Sequence, residues 1–164
     1  MITAFRWLAS SFAAAVALGA ISPVAGMDIV RDGQPHAKVV VPADAHPLTL
    51  QAAGLLVRYV RQMTGAALEI VHEGDPRASA GCRMFLGATN AAKAEGIDVS
   101  ALRFDGFLWK TSGDRLFIVG RDALFPPEND VNGSRACRGT AMGVLRLLEE
   151  FGHVRWFLPT SNGE

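Results

Sequence analysis

The sequence predicts an α/β domain of α+β character: a mixed β-sheet with an antiparallel hairpin and two main helices packed on it. Three observations carry this. Residues 48–64 and 141–150 show the i, i+3, i+4 apolar period of amphipathic helices. Short β-branched or aromatic runs are interspersed with them, so helices and strands are layered rather than segregated. Two of these runs flank Ser112-Gly113-Asp114, a hairpin signal.

The elements follow in order. Ala37-Lys38-Val39-Val40-Val41 is β-branched, stops at Pro42 and reads as the first strand. From Leu48, Ala53, Leu56, Val57, Val60 and Met63 form one apolar face, with Gly65 placed as the left-handed residue beyond the helix end. Leu68–Val71 and Arg83–Leu86 are two further strands, separated by a polar loop over 72–81. Thr89 is an N-cap candidate for a short helix over 90–95, closed by Gly96. Residues 106–111 and 115–119 form the hairpin. A long loop with Pro126, Pro127 and Asn132-Gly133 occupies 121–138; loops of that length in small domains are often functional. Thr140 is the expected N-cap of the second main helix. Val144, Leu145, Leu148 and Phe151 form its stripe, and Gly152 ends it. Val154-Arg155-Trp156-Phe157-Leu158 reads as a last strand before Pro159.

The first 26 residues read differently. Arg6 precedes an apolar stretch from Trp7 to Leu18, and Val24-Ala25-Gly26 offers small residues for cleavage before Met27. That stretch is shorter than the ~20 residues a membrane span needs. The expectation is an export signal over 1–26, an arm over 27–36 and one domain over 37–164, placed in the periplasm or outside the cell. The 138 residues left after cleavage suit a single domain.

The full chain of 164 residues balances 16 Lys+Arg against 16 Asp+Glu, and loss of the leader leaves a net charge of −1. The charges are scattered, so no basic face points to nucleic acid. No second long apolar run suggests a membrane contact after cleavage. Cys82 and Cys137 lie 55 residues apart. In an oxidising compartment they can pair as a disulfide, and two separate buried thiols are the equal alternative.

The search for chemistry is largely negative. His36, His46, His72 and His153 lack metal-ligand spacing. Gly87-Ala88-Thr89-Asn90 lacks the further glycines or the lysine of a nucleotide loop. Glu149 and Glu150 are neighbours on a helix and point about 100° apart, unlike a cleft-spanning acid/base pair. Asp28, Asp32, Asp44, Asp98, Asp105 and Asp114 fall in turns or in the arm, where aspartate serves the backbone. Asn132-Gly133-Ser134 is both an ordinary turn and a glycosylation sequon. Catalytic, metal and cofactor residues are therefore assigned to none of these positions. Trp156 and Phe157, adjacent on a predicted strand, face opposite ways. Packing inside the domain, cover by a neighbouring domain and stacking on a sugar all remain open for them.

The segment Arg138-Gly139-Thr140-Ala141-Met142-Gly143-Val144-Leu145-Arg146-Leu147-Leu148-Glu149-Glu150-Phe151-Gly152-His153-Val154-Arg155-Trp156-Phe157-Leu158-Pro159 resembles part of the N-terminal domain of family 67 α-glucuronidases. It is also similar to that domain in related bacterial proteins with a glycosidase barrel, and to domain 2 of β-hexosaminidases. Tyr59-Val60-Arg61-Gln62-Met63-Thr64-Gly65 and Phe85-Leu86-Gly87-Ala88-Thr89-Asn90 fit the same pattern. The match spans about residues 37–164, and the 124–136 connection is longer than usual in that family. The resemblance implies a non-catalytic domain of an exported polysaccharide-degrading hydrolase, followed in the same polypeptide by a barrel. It implies Arg138, Trp156 and Phe157 as interface or sugar contacts. A barrel needs about 250 residues, so the family's catalytic carboxylates have no counterpart here. A free-standing carbohydrate-binding or interaction domain is the alternative.

Overall fold

The computed structural model describes residues 27–79, 81–124 and 136–156. The export signal, Phe157, the Asn132 sequon and the middle of the long loop lie outside the described residues.

The arm is more ordered than a simple lead-in. Strands β1 (Val30–Arg31) and β2 (Gln34–Pro35) pair antiparallel across Asp32-Gly33. Both turn residues have positive φ, 52° and 71°, the geometry an Asp-Gly hairpin turn selects. The main sheet contains β3 (Ala37–Val41), β4 (Ile70–His72), β5 (Cys82–Leu86), β6 (Phe107–Ser112) and β7 (Arg115–Gly120). Their order is β4-β3-β5-β7-β6. β4, β3, β5 and β7 run parallel, and β6 closes one edge antiparallel to β7. The mixed sheet with its hairpin is as the sequence predicts.

Helix α1 (Pro47–Thr64) connects β3 to β4, and α3 (Gly139–Phe151) follows the sheet. Both lie on one face. Val39, Val41, Met84, Leu86, Leu116 and Ile118 meet Ala52, Leu56, Val60, Val144 and Leu148 there. The alternate residues Val40, Val71, Phe85, Phe117 and Val119 point the other way. That second face is covered by the short helix α2 (Asn90–Ala94) through Ala92, and by Ile97 and Val99. Phe85 and Phe117 stack there with centroids 4.9 Å apart. Parallel strands buried on both faces explain why β3 and β7 read as continuous apolar runs rather than alternating ones.

Helix ends are capped by varied means. Gly65 takes φ 77° and ends α1. His46 Nδ1 accepts from Leu48 N at 3.2 Å at the start of α1. Thr89 caps α2 through Ala92 N, as expected from sequence. Glu73 adds two bonds from a distance, accepting from Asn90 N and Ala91 N.

Three expectations are corrected. The ends of the long loop are paired: β8 (Asp122–Leu124) runs antiparallel to β9 (Ala136–Arg138). Thr140 does not cap α3, whose N-cap position is Arg138 without a side-chain bond. Asp122 on the neighbouring strand supplies the carboxylate instead, accepting from Thr140 N at 3.0 Å. Finally, residues 154–156 are not strand. His153, not Gly152, adopts positive φ (55°). Val154 N then bonds back to Leu148 O at 3.1 Å, which turns the chain back over the end of α3. The alternating Val154 and Trp156 pack on the helical layer rather than on a sheet.

Candidate functional site

In parallel sheets the C-terminal strand ends gather loops and helix N-termini, where sites are usually built. Here that edge is a tight crossing of three chain segments. Arg121 N donates to Gly106 O at 3.1 Å, and Gly139 N donates to Arg121 O at 2.9 Å. Arg138 N donates to Asp105 Oδ1 at 2.6 Å. A Cβ on Gly120 would lie 2.0 Å from the Gly139 carbonyl carbon, and one on Gly139 would lie 2.4 Å from Gly106 O. Only glycine permits this approach.

Asp122 organises the same edge. Its Oδ1 accepts from Thr140 N, and its Oδ2 accepts from Thr49 Oγ1 at 2.6 Å. One carboxylate thus ties the first turns of α1 and α3 to β8. Its charge faces the positive end of α3. A bound anion would have to displace it, so this helix start serves the fold.

The turn before β6 carries Phe104, 78% exposed and at φ 51°. A bulky side chain in the left-handed region costs about 1 kcal/mol or more. Arg103, Arg121 and Arg138 surround this turn in the chain crossing, and all three are exposed.

The opposite end of the helical layer holds an apolar groove of about 410 Å³. Met27, Ile29, Val60, Met63, Trp109 and Phe151 are among its walls. It lies between the C-terminal turns of α1 and α3, and Phe151 is 67% exposed at its rim.

Of the sequence-predicted contacts, the two among the described residues, Arg138 and Trp156, are not brought together. Arg138 is at the strand C-terminal edge. Trp156 lies on α1, meeting Tyr59 edge-on with centroids 5.1 Å apart. Arg155 is held by Glu149 O at 2.9 Å. Trp109 donates from Nε1 to Gly143 O at 3.1 Å, and its ring tilts against Phe107 and Phe151. Both tryptophans are therefore engaged in packing. Cys82 and Cys137 are free thiols in this structure, Cys82 half-buried and Cys137 buried. Cys82 begins β5, whereas Cys137 sits in β9 beside the far end of β7. About six residues of strand, at ~3.3 Å each, separate those levels, beyond disulfide reach.

The carboxylates with shifted acidity all shift downward. Asp75 is lowered to about 2, chiefly by the hydrogen bond from the Arg77 side chain. Glu95 is held below the usual range by its bond from Lys110, with Arg115 at 2.6 Å adding charge. Asp98 is lowered by bonds from Ser100. Each is suited to an ion pair or a cap, not to donating a proton near neutrality. Glu149 and Glu150 both pair with Arg146, consistent with a solvated helix end. The described residues hold no cluster of three or more His, Cys, Asp or Glu side chains able to bind a metal, and no helix among them is long and apolar enough to cross a membrane.

Sequence reasoning missed Asp122 as an organiser of this edge and Phe104 as its strained, exposed ring. Phe104-Asp105-Gly106 carries a turn signal before a strand, which marks the turn but not the left-handed phenylalanine.

No family model matches the chain, and no curated protein matches it. Among solved structures, a family GH115 4-O-methyl-α-glucuronidase with specificity for decorated arabinogalactans aligns with TM-score 0.49 and 21% identity. The alignment covers 73% of this chain and 14% of that one, so this chain spans a small part of that protein's length.

Proposed function

We propose that this chain is a non-catalytic N-terminal accessory domain of an exported glycoside hydrolase related to the α-glucuronidases, supporting a downstream barrel. The observation behind this reading is where the family-like motifs fall. Gly139-Thr140 forms the crossing with β7, and Gly143 lets α3 approach Ile118 and receive the Trp109 bond. Trp156 rests on Tyr59 of the first motif, and Thr89 caps α2 in the second. The motifs do scaffold work. A domain whose shared residues build the scaffold is suited to support rather than to turnover.

An export signal over residues 1–26 would carry that scaffold to where polymeric substrate is found, and plant-type or other complex polysaccharide is the substrate class the family resemblance favours. Two measurements test the proposal. The coding sequence beyond residue 164 is expected to continue into a barrel of alternating strands and helices. The 164-residue chain alone is expected to release no uronic acid from aldouronic oligosaccharides. Release by the chain alone would refute the non-catalytic assignment, and a downstream sequence without a barrel would refute the accessory one.

A further inference from the structure

We infer that the C-terminal edge of the parallel strands is a docking surface for another protein, one presenting clustered Asp or Glu carboxylates beside an apolar recess. This does not depend on the accessory-domain reading.

The distribution of arginines carries the inference. Most of those described have partners: Arg31 with Asp28, Arg77 with Asp75, Arg83 with Asp114, Arg115 with Glu95 and Arg146 with Glu149. Arg155 binds backbone carbonyls, and Arg58 lies over Tyr59. Among the described residues, the guanidinium groups left without a bond or ion pair are those of Arg61, Arg103, Arg121 and Arg138. Three of these four meet at one chain crossing. The carboxylates beside them bind backbone and hydroxyl donors rather than these guanidinium groups: Asp105 accepts from Arg138 N, and Asp122 accepts from both Thr140 N and Thr49 Oγ1. Asp44, exposed in the β3–α1 turn, is the one acid of this edge with no bond of its own among the described residues. The edge therefore offers planar, fork-shaped donors suited to bidentate carboxylate pairing.

The exposed apolar residues sharpen the partner's nature. Phe104 is joined at this edge by Leu124, 59% exposed, and by Leu50 and Met142 in the first turns of α1 and α3. Phe, Met and Arg are the residues enriched at protein interfaces, with Leu adding apolar area. A glycan platform would instead offer flat tryptophan or tyrosine faces, and both tryptophans described are packed elsewhere. Phe104 also sits at φ 51° in a turn where asparagine or glycine would be relaxed. A strained, exposed ring that the fold does not need points to selection for contact.

The test uses the 164-residue chain and a soluble 12-residue peptide of glutamate and leucine, followed by amide shift perturbation at low salt. Shifts are expected around 103–106, 121–124 and 138–142, weakening as salt rises. Arg121→Gln with Arg138→Gln is expected to weaken binding about fivefold or more. Phe104→Asn is expected to weaken binding while holding or raising the melting temperature, which a purely structural phenylalanine would not do. Polygalacturonate serves as the acidic-glycan arm. The inference is overturned by no binding, by binding that ignores the two arginines, by a Phe104→Asn variant that unfolds, or by polygalacturonate binding more tightly through the same residues.

Discussion

At the C-terminal ends of the parallel strands the chain is fixed by backbone contact and side-chain caps. At their N-terminal ends it is closed by partly covered apolar side chains. The first end tolerates almost no added volume: Gly120 and Gly139 touch, and Asp122 binds two helices at once. The second is a groove, with Met63 and Phe151 exposed at its rim and the arm residues Met27 and Ile29 as one wall. Rigidity and apolar exposure are thus placed at opposite ends of one sheet, which makes each testable without disturbing the other.

The largest effect is expected from Gly120→Ala. The new methyl cannot move away from backbone, so β7 and the start of α3 must separate. Overpacking of this kind costs about 3 kcal/mol or more. Chemical denaturation is expected to show the loss as a lower midpoint or as failure to fold. A variant as stable as the parent would show that the crossing is loose and remove the contrast between the two ends.

Asp122→Ala comes next. It removes the acceptor for Thr140 N and for the Thr49 hydroxyl, and a cap plus a partly buried hydrogen bond is expected to cost about 2 kcal/mol. Thr49→Val tests one half alone and is expected to cost about 1 kcal/mol. Because both share one carboxylate, the double variant should cost less than the sum. Strict additivity would show that Asp122 does not couple α1 to α3. At the other end, Phe151→Ser is expected to move the denaturation midpoint by no more than about 0.5 kcal/mol, since most of that ring already meets water. A loss near that of Asp122→Ala would mean that the groove is a closed part of the core.

How much of this was legible follows from the range of the forces involved. The periodic face of α1, the Gly65 stop, the Thr89 cap and the β6–β7 hairpin depend on residues within a few positions of each other, and the sequence carries them. The aspartates of the turns likewise serve the backbone, Asp98 at Ser100 and Asp105 at Arg138. The cap of α3 was not legible, because Asp122 reaches Thr140 across 18 positions and displaces the local candidate. Val154 to Trp156 misled for another reason. An alternating apolar pattern fits a helical surface as well as a sheet, and the bond from Val154 N to Leu148 O turns the chain onto the helices. The edge with its arginines, unpaired among the described residues, was invisible because Arg103, Arg121 and Arg138 are far apart until the three backbones cross.

The smallest expected effect lies on the sheet's outer edge, away from the chain crossing, and so acts as a control. Asp75 is held down to about 2 by the Arg77 hydrogen bond, with further lowering by charge from Arg77 and Lys38. The folded state binds this proton less readily than the unfolded chain, whose carboxyl titrates near its ordinary value of 3.8. Whatever stability the pair contributes is therefore complete above that value and is lost as pH falls from about 4 towards 2. Arg77 is exposed and Asp75 half-buried, so solvent screening should make the stability change hard to detect, while the titration itself should be plain. Carboxyl NMR is expected to give a midpoint near 2 for Asp75, rising towards 3.8 in Arg77→Gln, with the amide shifts of Asp105 and Thr140 unmoved. An Asp75 midpoint that stays low without Arg77 would assign the shift to the backbone of the Pro76–Ser79 turn instead. Movement at Thr140 would show that this edge and the chain crossing are not independent.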